Sequence, residues 1–457
     1  MLTPSRLFFY FNLILIALVF IIGLNPNSFN NQKLASGLII YQGEKVTFRG
    51  RVCREAETDY KIRRLTICLP EKILVTTALY PEYDYADVLE ISGKIEEPPI
   101  LENFDYARYL GKSDIYSVMY YPKLTLIAQG QTNNLFQLFY FQLLKLKKQF
   151  ETILERSIKE PELGLAKAIF LGMKRQILAD DKEAFTRSGL SHLIAISGTH
   201  IVVLSALIVK LSSALRMARS PSLFINFIFL AIYPLFTGLS ASALRAGLMG
   251  SLVLLAFYEG RLIISIRALV FSAALMLIFN PKLLREDLGF QLSFLAVLGI
   301  IYLYPIFCLI KRVYKKYLTG TILKILNSVT DVLSITLACQ IMTLPILLIN
   351  FQQLSMVSPL ANVLVIWTFP FLFVFLILPL LPAAIFPILG PWFFAPAYFL
   401  LAYIFSMARY LANFSWAVKQ VKDFNWLDAG LFYLFLSLVI FLFRKKVKPE
   451  RQTKTPL

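Results

Sequence analysis

Residues 360–381 read LANVLVIWTFPFLFVFLILPLL and carry no charged side chain. An α-helix needs about 20 mostly apolar residues to cross the hydrocarbon core of a bilayer, so this stretch is long enough to span a membrane. The whole chain has the same character, because 57% of its 457 residues are hydrophobic, 16% are charged and the mean hydropathy is +0.65. A soluble domain carries about 25% charged residues. The composition therefore excludes a soluble or disordered chain and predicts a polytopic α-helical membrane protein.

Apolar runs of sufficient length recur along the chain, and we predict about ten membrane spans. They lie near 7–24, 190–211, 222–238, 243–258, 262–279, 288–309, 329–350, 360–381, 384–412 and 427–443. The first run resembles a signal peptide, but no small-residue cleavage site follows it, so 1–24 is expected to be an uncleaved anchor. The proline-rich stretch 360–412 also fits a re-entrant segment.

Positive charge is distributed unevenly around these spans. The chain has 46 basic and 28 acidic residues, a net charge of +18. With a cytoplasmic N-terminus, 16 basic residues fall in the inner loops and tail, and four fall in the outer hairpin loops. The positive-inside rule therefore predicts a multi-pass protein of the cytoplasmic membrane with both termini cytoplasmic and 444–457 as a basic tail.

Residues 25–130 have a different pattern. Period-2 alternation and turn residues predict five strands, at 46–54, 61–69, 72–78, 87–94 and 115–127. Five short strands fit a small β-barrel of the OB type, and the topology places this domain outside the cytoplasm. Its charge is nearly balanced, with 13 basic and 14 acidic residues, so the basic excess of the chain lies elsewhere.

The first predicted hairpin of this domain is rich in arginine, with Phe48 and Tyr60 between the basic residues. The candidate DNA-binding residues are Arg49, Arg51, Arg54, Arg63 and Arg64. OB barrels bind single strands by stacking bases on aromatic rings beside cations. The alternative is a solvated hairpin face balanced by the neighbouring acids.

Four cysteines are present, of which Cys308 and Cys339 lie in predicted spans and are expected to be packing residues. Cys53 and Cys68 lie in the extracytoplasmic domain, where a disulfide is permitted. A turn near 57–58 would place Cys53 opposite residue 62 instead, so a simple cross-hairpin bridge does not fit and the pairing stays open. No spacing indicates a metal site, and no cofactor is expected.

Residues 131–187 connect the two regions. Apolar residues recur at helical spacing over 135–158, and Lys145, Lys147, Lys148, Glu151 and Glu155 fall mostly on the other face. Such a helix fits the outer membrane surface. A helix packed on the barrel fits equally well.

Both histidines of the chain lie in the sequence SGLSHLIAISGTH at 188–200. Ser197-Gly198, between His192 and His200, is suited to interrupting the helix, and a break at membrane depth is tolerated only beside a cavity or packed protein. Freed backbone N–H groups would favour an anion such as phosphate. Ionisable residues within spans are functional candidates; the alternative is small-residue packing with hydrogen-bonded histidines.

Further polar residues lie in the predicted spans: Arg245, Asp287, Gln291, Gln340 and Asn362. They fit a path that lets a charged chain slide without being trapped, or ordinary interhelical hydrogen bonds. Ser197 and His200, one helical turn apart, also fit a hydrolase. No orienting acid and no G-x-S-x-G motif accompany them, so enzymatic activity is not expected.

Several motifs, in this order, resemble those of the ComEC-type competence proteins. They are NFDYARYL at 103–110, GLSHLIAISGTH at 189–200, TGLSASALRA at 237–246, DLGFQLSF at 287–294, ACQ at 338–340 and SPLAN at 358–362. The resemblance covers about 35–365. It implies a DNA-internalisation channel that translocates single-stranded DNA across the cytoplasmic membrane during natural transformation. An OB-like domain would handle the strand outside, and the helical region, 188–443, would form the pore.

The resemblance also implies an outer DNA receptor and a cytoplasmic ATPase as partners, besides the membrane lipids. Many family members carry a C-terminal metallo-β-lactamase-like domain. This chain has two histidines, too few for an H-x-H-x-D-H site, so that domain is expected to be lacking. A transporter or flippase of another anionic substrate, an intramembrane hydrolase and assembly as a homo-oligomer stay open alternatives.

Overall fold

The computed structural model describes residues 10–17, 43–59, 61–69, 71–101, 104–258, 265–309 and 320–444. The helix at 10–17 falls within the predicted first span, and the rest of that span lies outside the described residues. The beginning of the predicted β domain, Tyr60 of the predicted hairpin and the basic tail beyond Arg444 also lie outside them.

The N-terminal domain consists of short strands and one short helix. These elements are β1 Lys45–Val52, β2 Glu57–Thr58, β3 Arg63–Cys68, β4 Lys72–Thr77, β5 Val88–Lys94, β6 Ile100–Leu101, β7 Phe104–Asp105, α1 Tyr106–Gly111, β8 Ile115–Tyr120 and β9 Lys123–Ala128. Alternate residues point to one side, and Leu65, Ile67, Leu89 and Ile91 of this buried side form its core. The period-2 pattern therefore identified β1, β3, β4 and β5.

The main sheet has the strand order β8-β4-β3-β1-β5-β9, in which β4 and β8 run parallel and the other neighbours antiparallel. The predicted single strand 115–127 is wrong, because Tyr121 has φ +49° and Pro122 follows it. Proline removes a ladder donor and the turn divides the segment into β8 and β9. Although β8 and β9 are consecutive in the chain, they lie at the two opposite ends of this strand order.

Cys53 and Cys68 are joined by a disulfide. The predicted register was wrong, because the turn lies beyond Thr58, which pairs with Arg63. Nearer the start of the hairpin, Val52 pairs with Ile67, so the chain between Val52 and Glu57 is longer than its partner segment and bulges outward. This bulge brings Cys53 beside Thr66 and within reach of Cys68.

The connector begins with helix α2, Leu135–Ser157, whose N-cap Asn134 accepts a hydrogen bond from the Gln137 N–H. Its charged face contacts the β domain, where Lys147 pairs with Glu55 at 2.8 Å. Its later apolar residues, among them Leu154, join the main helical core. Shorter elements follow: α3 Glu162–Ala166, a π-helix Lys167–Leu171, a 3₁₀ turn Lys174–Gln176 and α4 Ala179–Arg187.

The remaining described chain is mainly helical, with one small two-stranded antiparallel sheet formed by β10 Gln353–Ser355 and β11 Val418–Gln420. The helices are α5 Ser191–Ile194, α6 Gly198–Ala214, α7 Arg219–Phe236, α8 Ala241–Tyr258, α9 Ser265–Phe279, α10 Leu283–Glu286, α11 Leu288–Tyr302, α12 Tyr304–Phe307, α13 Gly320–Phe351, α14 Ser358–Val365, α15 Phe369–Ile377, α16 Leu380–Ile385, α17 Gly390–Phe393, α18 Ala395–Ala412 and α19 Trp426–Arg444.

Six helical segments among the described residues are long and apolar enough to cross a membrane. They are Arg219–Phe236, Leu288–Phe307, Gly320–Phe351, Ser358–Ile385, Ala395–Ala412 and Trp426–Phe443. Three shorter apolar helices lie at predicted spans: Gly198–Ala214, Ala241–Leu255 and Ile266–Phe279. The predicted span 384–412 is a full-length helix only from Ala395, because prolines at 387, 391 and 396 divide its first part.

Glycine permits the closest helix contacts in this region. A Cβ on Gly299 of α11 would lie 2.3 Å from the Ala338 carbonyl oxygen of α13. A Cβ on Gly247 of α8 would lie 2.7 Å from the Leu230 carbonyl oxygen of α7. Small residues at such crossings are typical of membrane helices, where close van der Waals packing replaces the hydrophobic effect.

A polar seam joins the β domain to the helical region. Its members are Lys112, Asp114 and Tyr116 of the β domain and Asn280, Lys282 and Asp287 of the loop and N-cap before α11. Lys112 Nζ donates to Asp287 Oδ2 at 2.9 Å, and Lys282 Nζ donates to Asp114 Oδ1 at 2.7 Å. In one pair the β domain supplies the cation, and in the other it supplies the anion. Each side of the seam therefore contributes both a cation and an anion.

Candidate functional site at a helix break

The chain between α5 and α6 is extended. Ala195 has φ −87° and ψ 137°, and Ser197 has φ −119° and ψ 170°, so the helix is interrupted where Ser197-Gly198 predicts it. α6 begins at Gly198, and the first N–H groups of a helix have no partners within it. The positive end of the α6 dipole therefore lies at this break.

Ser197 and His200 close the first turn of α6. His200 Nδ1 accepts a hydrogen bond from the Ser197 backbone N–H at 3.2 Å and lies 2.8 Å from Ser197 Oγ. The imidazole is 0% exposed and packs edge-on against Phe369 and Phe373, with ring centroids 5.3 and 5.5 Å apart. No carboxylate contacts this ring among the described residues. A positioned cap, rather than a catalytic triad, accounts for the pair.

Arg245 of α8 lies directly against this helix end. Its Nη2 is 3.2 Å from the position that a Cβ on Gly198 would occupy. Its Nε donates to Ser293 Oγ of α11 at 2.6 Å, and its guanidinium carbon lies 6.0 Å from the centre of the Phe294 ring. Arg245 is 7% exposed and has no salt bridge to any described carboxylate.

This juxtaposition is electrostatically unfavourable by itself. A buried cation normally has a paired anion, and a helix N-terminus favours negative charge. Arg245 and the N-terminus of α6 instead meet as two positive groups with neutral Ser293 between the helices. An anion that reaches this point would satisfy both groups, and the planar guanidinium suits a phosphate or carboxylate group. Glycine at 198 is what allows the close approach.

Gln340 and Asn362 belong to a second polar cluster. Gln340 Nε2 donates to the Ser355 carbonyl at 2.8 Å, and Asn362 Nδ2 donates to Ser358 Oγ at 3.5 Å. A Cβ on Gly189 would lie 2.4 Å from Ser358 Cβ, so the loop before α5 packs against the start of α14. Gln340 Oε1 and Asn362 Oδ1 are buried without a hydrogen-bond partner among the described residues.

The other predicted path residues have local partners. His192 is exposed, and its Nδ1 lies 3.2 Å from the Gly189 carbonyl. Asp287 accepts from the Phe290 N–H as the N-cap of α11, in addition to its seam contact with Lys112. Gln291 Nε2 donates to the carbonyls of Leu284 and Arg285. Asp287 and Gln291 therefore fix the start of α11, the helix that carries Ser293.

The five candidate arginines of the β domain do not form one open surface. Arg63 is buried, with Nε bonded to Thr58 Oγ1 and Nη1 without a partner among the described residues. Arg64 also has a buried Nη1. Arg51 Nη1 donates to Gln137 of α2. The two exposed members, Arg49 and Arg54, lie beside Glu90 and Ser113, respectively.

Three members of the site were not singled out by sequence reasoning: Ser293, Ser242 and Gly189. Ser293 binds Arg245, and Ser242 Oγ lies 3.3 Å from Ser293 Oγ. All three lie inside the motifs quoted above, and this position is the signal by which they could have been found. Serine is common in membrane helices as a packing residue, and its partner becomes visible only when the helices are brought together.

The described helices and the buried cationic site define a polytopic helical membrane protein with an additional β domain. Residues 169–446 match the family described as "Competence protein", and the chain belongs to this family of cell-membrane proteins. It is 29% identical to ComE operon protein 3 of Bacillus subtilis (strain 168) over 293 residues. The aligned region covers 64% of this chain and 34% of the relative. The chain thus spans about a third of that relative's length. No solved structure matches it.

Proposed function

We propose that this protein is a membrane channel for single-stranded DNA during natural transformation, without enzymatic activity of its own. The observation that carries the proposal is Arg245, a buried cation without a described carboxylate partner that faces the N-terminus of α6. Phosphate groups passing one at a time would meet two positive groups and then move on, because neutral hydroxyls surround them. Membership in the competence protein family supports the same role.

The remaining path residues fit this scheme as positioning groups. Ser197, Gly198 and His200 hold the helix break, and Gln340 and Asn362 present buried amide oxygens that carry no charge. Asp287 and Gln291 orient α11 and thereby Ser293. His192 is exposed on the short helix α5. Uncharged groups suit a sliding polyanion, since they do not trap it.

The proposal includes an architecture. Residues 1–24 would be the anchor, 25–130 an extracytoplasmic OB-like domain, 131–187 the connector, 188–443 the channel domain and 444–457 a cytoplasmic tail. In an OB barrel the fifth strand pairs with the third in parallel and with the fourth antiparallel. Here β8 pairs with β4 in parallel and β9 pairs with β5 antiparallel, so β8 and β9 together take the place of the fifth strand. This pairing supports an OB barrel. Ten spans with both termini inside follow from the charge distribution.

The partners proposed with this function are single-stranded DNA, membrane lipids, an outer DNA receptor and a cytoplasmic ATPase. Assembly as a homo-oligomer is part of the same proposal. A channel that lacks a motor of its own requires a partner that supplies the driving force, and a receptor would deliver the strand to the β domain. Pull-down of the full chain from detergent extracts of competent cells tests these contacts.

A deletion strain tests the function directly. Uptake of labelled DNA into the cytoplasm should be lost in the strain while surface binding remains, and undiminished transformation would disprove the proposal. In the complemented strain, Arg245→Gln should lower uptake at least 10-fold with normal protein in the membrane. Arg216→Gln, which removes an exposed charge outside the site, is the matched control and should leave uptake intact.

A transporter or flippase of another anionic molecule is the alternative that the same site favours, because Arg245 and the α6 N-terminus would bind any phosphate or carboxylate group. Salt-sensitive binding of oligonucleotides to the purified full chain favours DNA. If the deletion strain no longer transports a lipid-linked or soluble anion but takes up DNA normally, the transporter is favoured.

A further inference from the structure

One face of the β domain carries exposed cations from three adjacent strands. On this face β5 pairs with β1 on one side and with β9 on the other. Lys45, Arg49, Lys94 and Lys123 are exposed, and they alternate with buried or partly buried residues, as expected for the outer side of a sheet. We call these four residues the basic face.

The register brings like charges together. Lys45 stands directly opposite Lys94, and Ser92 stands opposite both Thr47 and Lys123. Like charges in a direct cross-strand pair are destabilising, because the Cβ atoms are about 5 Å apart. Lys45, Lys94 and Lys123 have no ion pair with any described residue, and Glu90, which pairs with Arg49 at 3.3 Å, is the acid in these three strands.

The cations on this face contrast with a domain that is nearly neutral as a whole. Some acids of the β domain lie at the junction with α2, around a cavity of about 660 Å³. Among the residues that line this cavity are Glu55, Asp59, Glu82 and Asp84. Lysines of α2 pair with three of these acids, Lys147 with Glu55 and Lys148 with Glu82 and Asp84. These three acids at the junction are therefore neutralised within the chain, whereas the lysines of the basic face are not neutralised by any described residue.

An exposed aromatic residue lies close to Lys123 in the chain. Tyr121 is 63% exposed and stands two residues before Lys123, the first residue of β9. A cationic surface with an aromatic ring is the combination by which proteins hold single strands without reading their sequence. We propose that the basic face together with Tyr121 is the surface on which the β domain receives the phosphate backbone of single-stranded DNA.

This inference rests on the proposed function and replaces the arginine hairpin as the DNA contact, retaining only Arg49 from it. The hairpin members Arg63, Arg64 and Arg51 are engaged or partly covered by the domain itself. The cations of β1, β5 and β9 are open to a backbone that crosses these strands.

Binding of a fluorescent poly-dT oligonucleotide to the full chain in nanodiscs tests the inference. The variant K45Q/K94Q/K123Q removes three cations and should weaken binding at low salt by at least 10-fold. The slope of log Kd against log salt should fall by about 2, since each lost phosphate contact contributes about 0.7. Tyr121→Ala should weaken binding about 5-fold or more without changing that slope.

The matched control is K61Q/K159Q/K174Q, which removes three exposed lysines elsewhere and should bind with the wild-type salt slope. Equal slopes for the two triple variants would overturn the basic face as the DNA surface, as would the absence of oligonucleotide binding by the wild-type chain. Uptake in the deletion strain decides the channel function separately, because the strain is scored without reference to this face. Unchanged size-exclusion profiles exclude unfolding of the variants.

Discussion

At the scale of single residues, Gly198 and Arg245 depend on each other. The guanidinium lies close to the space that a side chain at 198 would need, since Nη2 is 3.2 Å from the position of a Cβ there. The cation can therefore approach the first N–H groups of α6 closely. Under the proposed function, that proximity would strengthen the binding of a phosphate group, because the field of the helix terminus falls off within one turn.

The change Gly198→Ala should lower DNA uptake several-fold, because the methyl group forces the guanidinium away from the helix end by a few tenths of an ångström. Uptake of labelled DNA in the complemented deletion strain measures this effect. Gly430→Ala is the matched control, since a Cβ at 430 meets nothing within 4 Å in α19. Normal uptake by Gly198→Ala would mean that the contact is not used.

Sequence identified Arg245 because a charged residue within an apolar run is conspicuous. Its partner Ser293 escaped notice, since 48 residues separate them and serine is unremarkable in a span. The arginines of the hairpin show the opposite failure. Their spacing indicated an open basic surface, but Arg63 is buried and Arg64 has a buried Nη1, and only the folded domain reveals which side chains are covered.

At the scale of elements, α11 and α13 pack closely at Gly299. Gly299→Ala should separate the two helices, because its Cβ would lie 2.3 Å from the Ala338 carbonyl oxygen. Overpacking of this kind costs about 1–3 kcal/mol. Thermal unfolding of the purified protein in detergent should show a lower midpoint than for Gly430→Ala, and equal midpoints would contradict the predicted clash.

The elements themselves were largely predictable, whereas their boundaries and pairings were less so. Hydrophobic length predicted about ten spans, and six of them contain a described helix that is long and apolar enough to cross a membrane. The outward bulge between Val52 and Glu57 could not be foreseen, since two-residue insertions leave the alternation on either side intact. The disulfide partner of Cys53 stayed open for the same reason.

At the scale of the whole molecule, the seam couples the β domain to the helix that supports Arg245. A double-mutant cycle with Lys112→Ala and Asp287→Asn should give a coupling energy of about 1 kcal/mol in unfolding experiments. Asparagine retains the N-cap of α11, so the cycle isolates the ion pair. The exposed pair Arg49–Glu90 is the control and should couple by less than about 0.5 kcal/mol. Equal couplings would show that the seam does not join the domains.

The seam also predicts a response to pH. Burial by itself would raise the pKa of Asp114, but hydrogen bonds and charge from Lys282 and Lys72 outweigh it and hold the pKa below its usual value. Burial would lower the pKa of Lys282, whereas Asp114 and Tyr116 raise it overall. The contribution of Asp114 is complete above about pH 4, its unfolded pKa, and is lost as pH falls through its lower folded pKa. That of Lys282 is complete below about pH 10 and is lost as pH rises through its higher folded pKa.

Hydrogen exchange in β8 measures this response. Protection of residues 115–120 should be steady from about pH 5 to 9 after correction for the intrinsic exchange rate, and should decline below about pH 4. The variant Asp114→Asn removes the titrating group, so its protection should lack the acid-dependent step. An identical acid response in the wild type and the variant would assign the step to another group.

The seam also limits how such chains can be recombined. Lys112 and Asp287 are 175 positions apart in the sequence, yet each completes the other. A chimera that received its β domain from one parent and its helices from another would inherit half of each ion pair. Grafting the loop 280–287 together with the β domain restores a cognate set, so exchange between relatives has to treat these two distant segments as a single inherited unit.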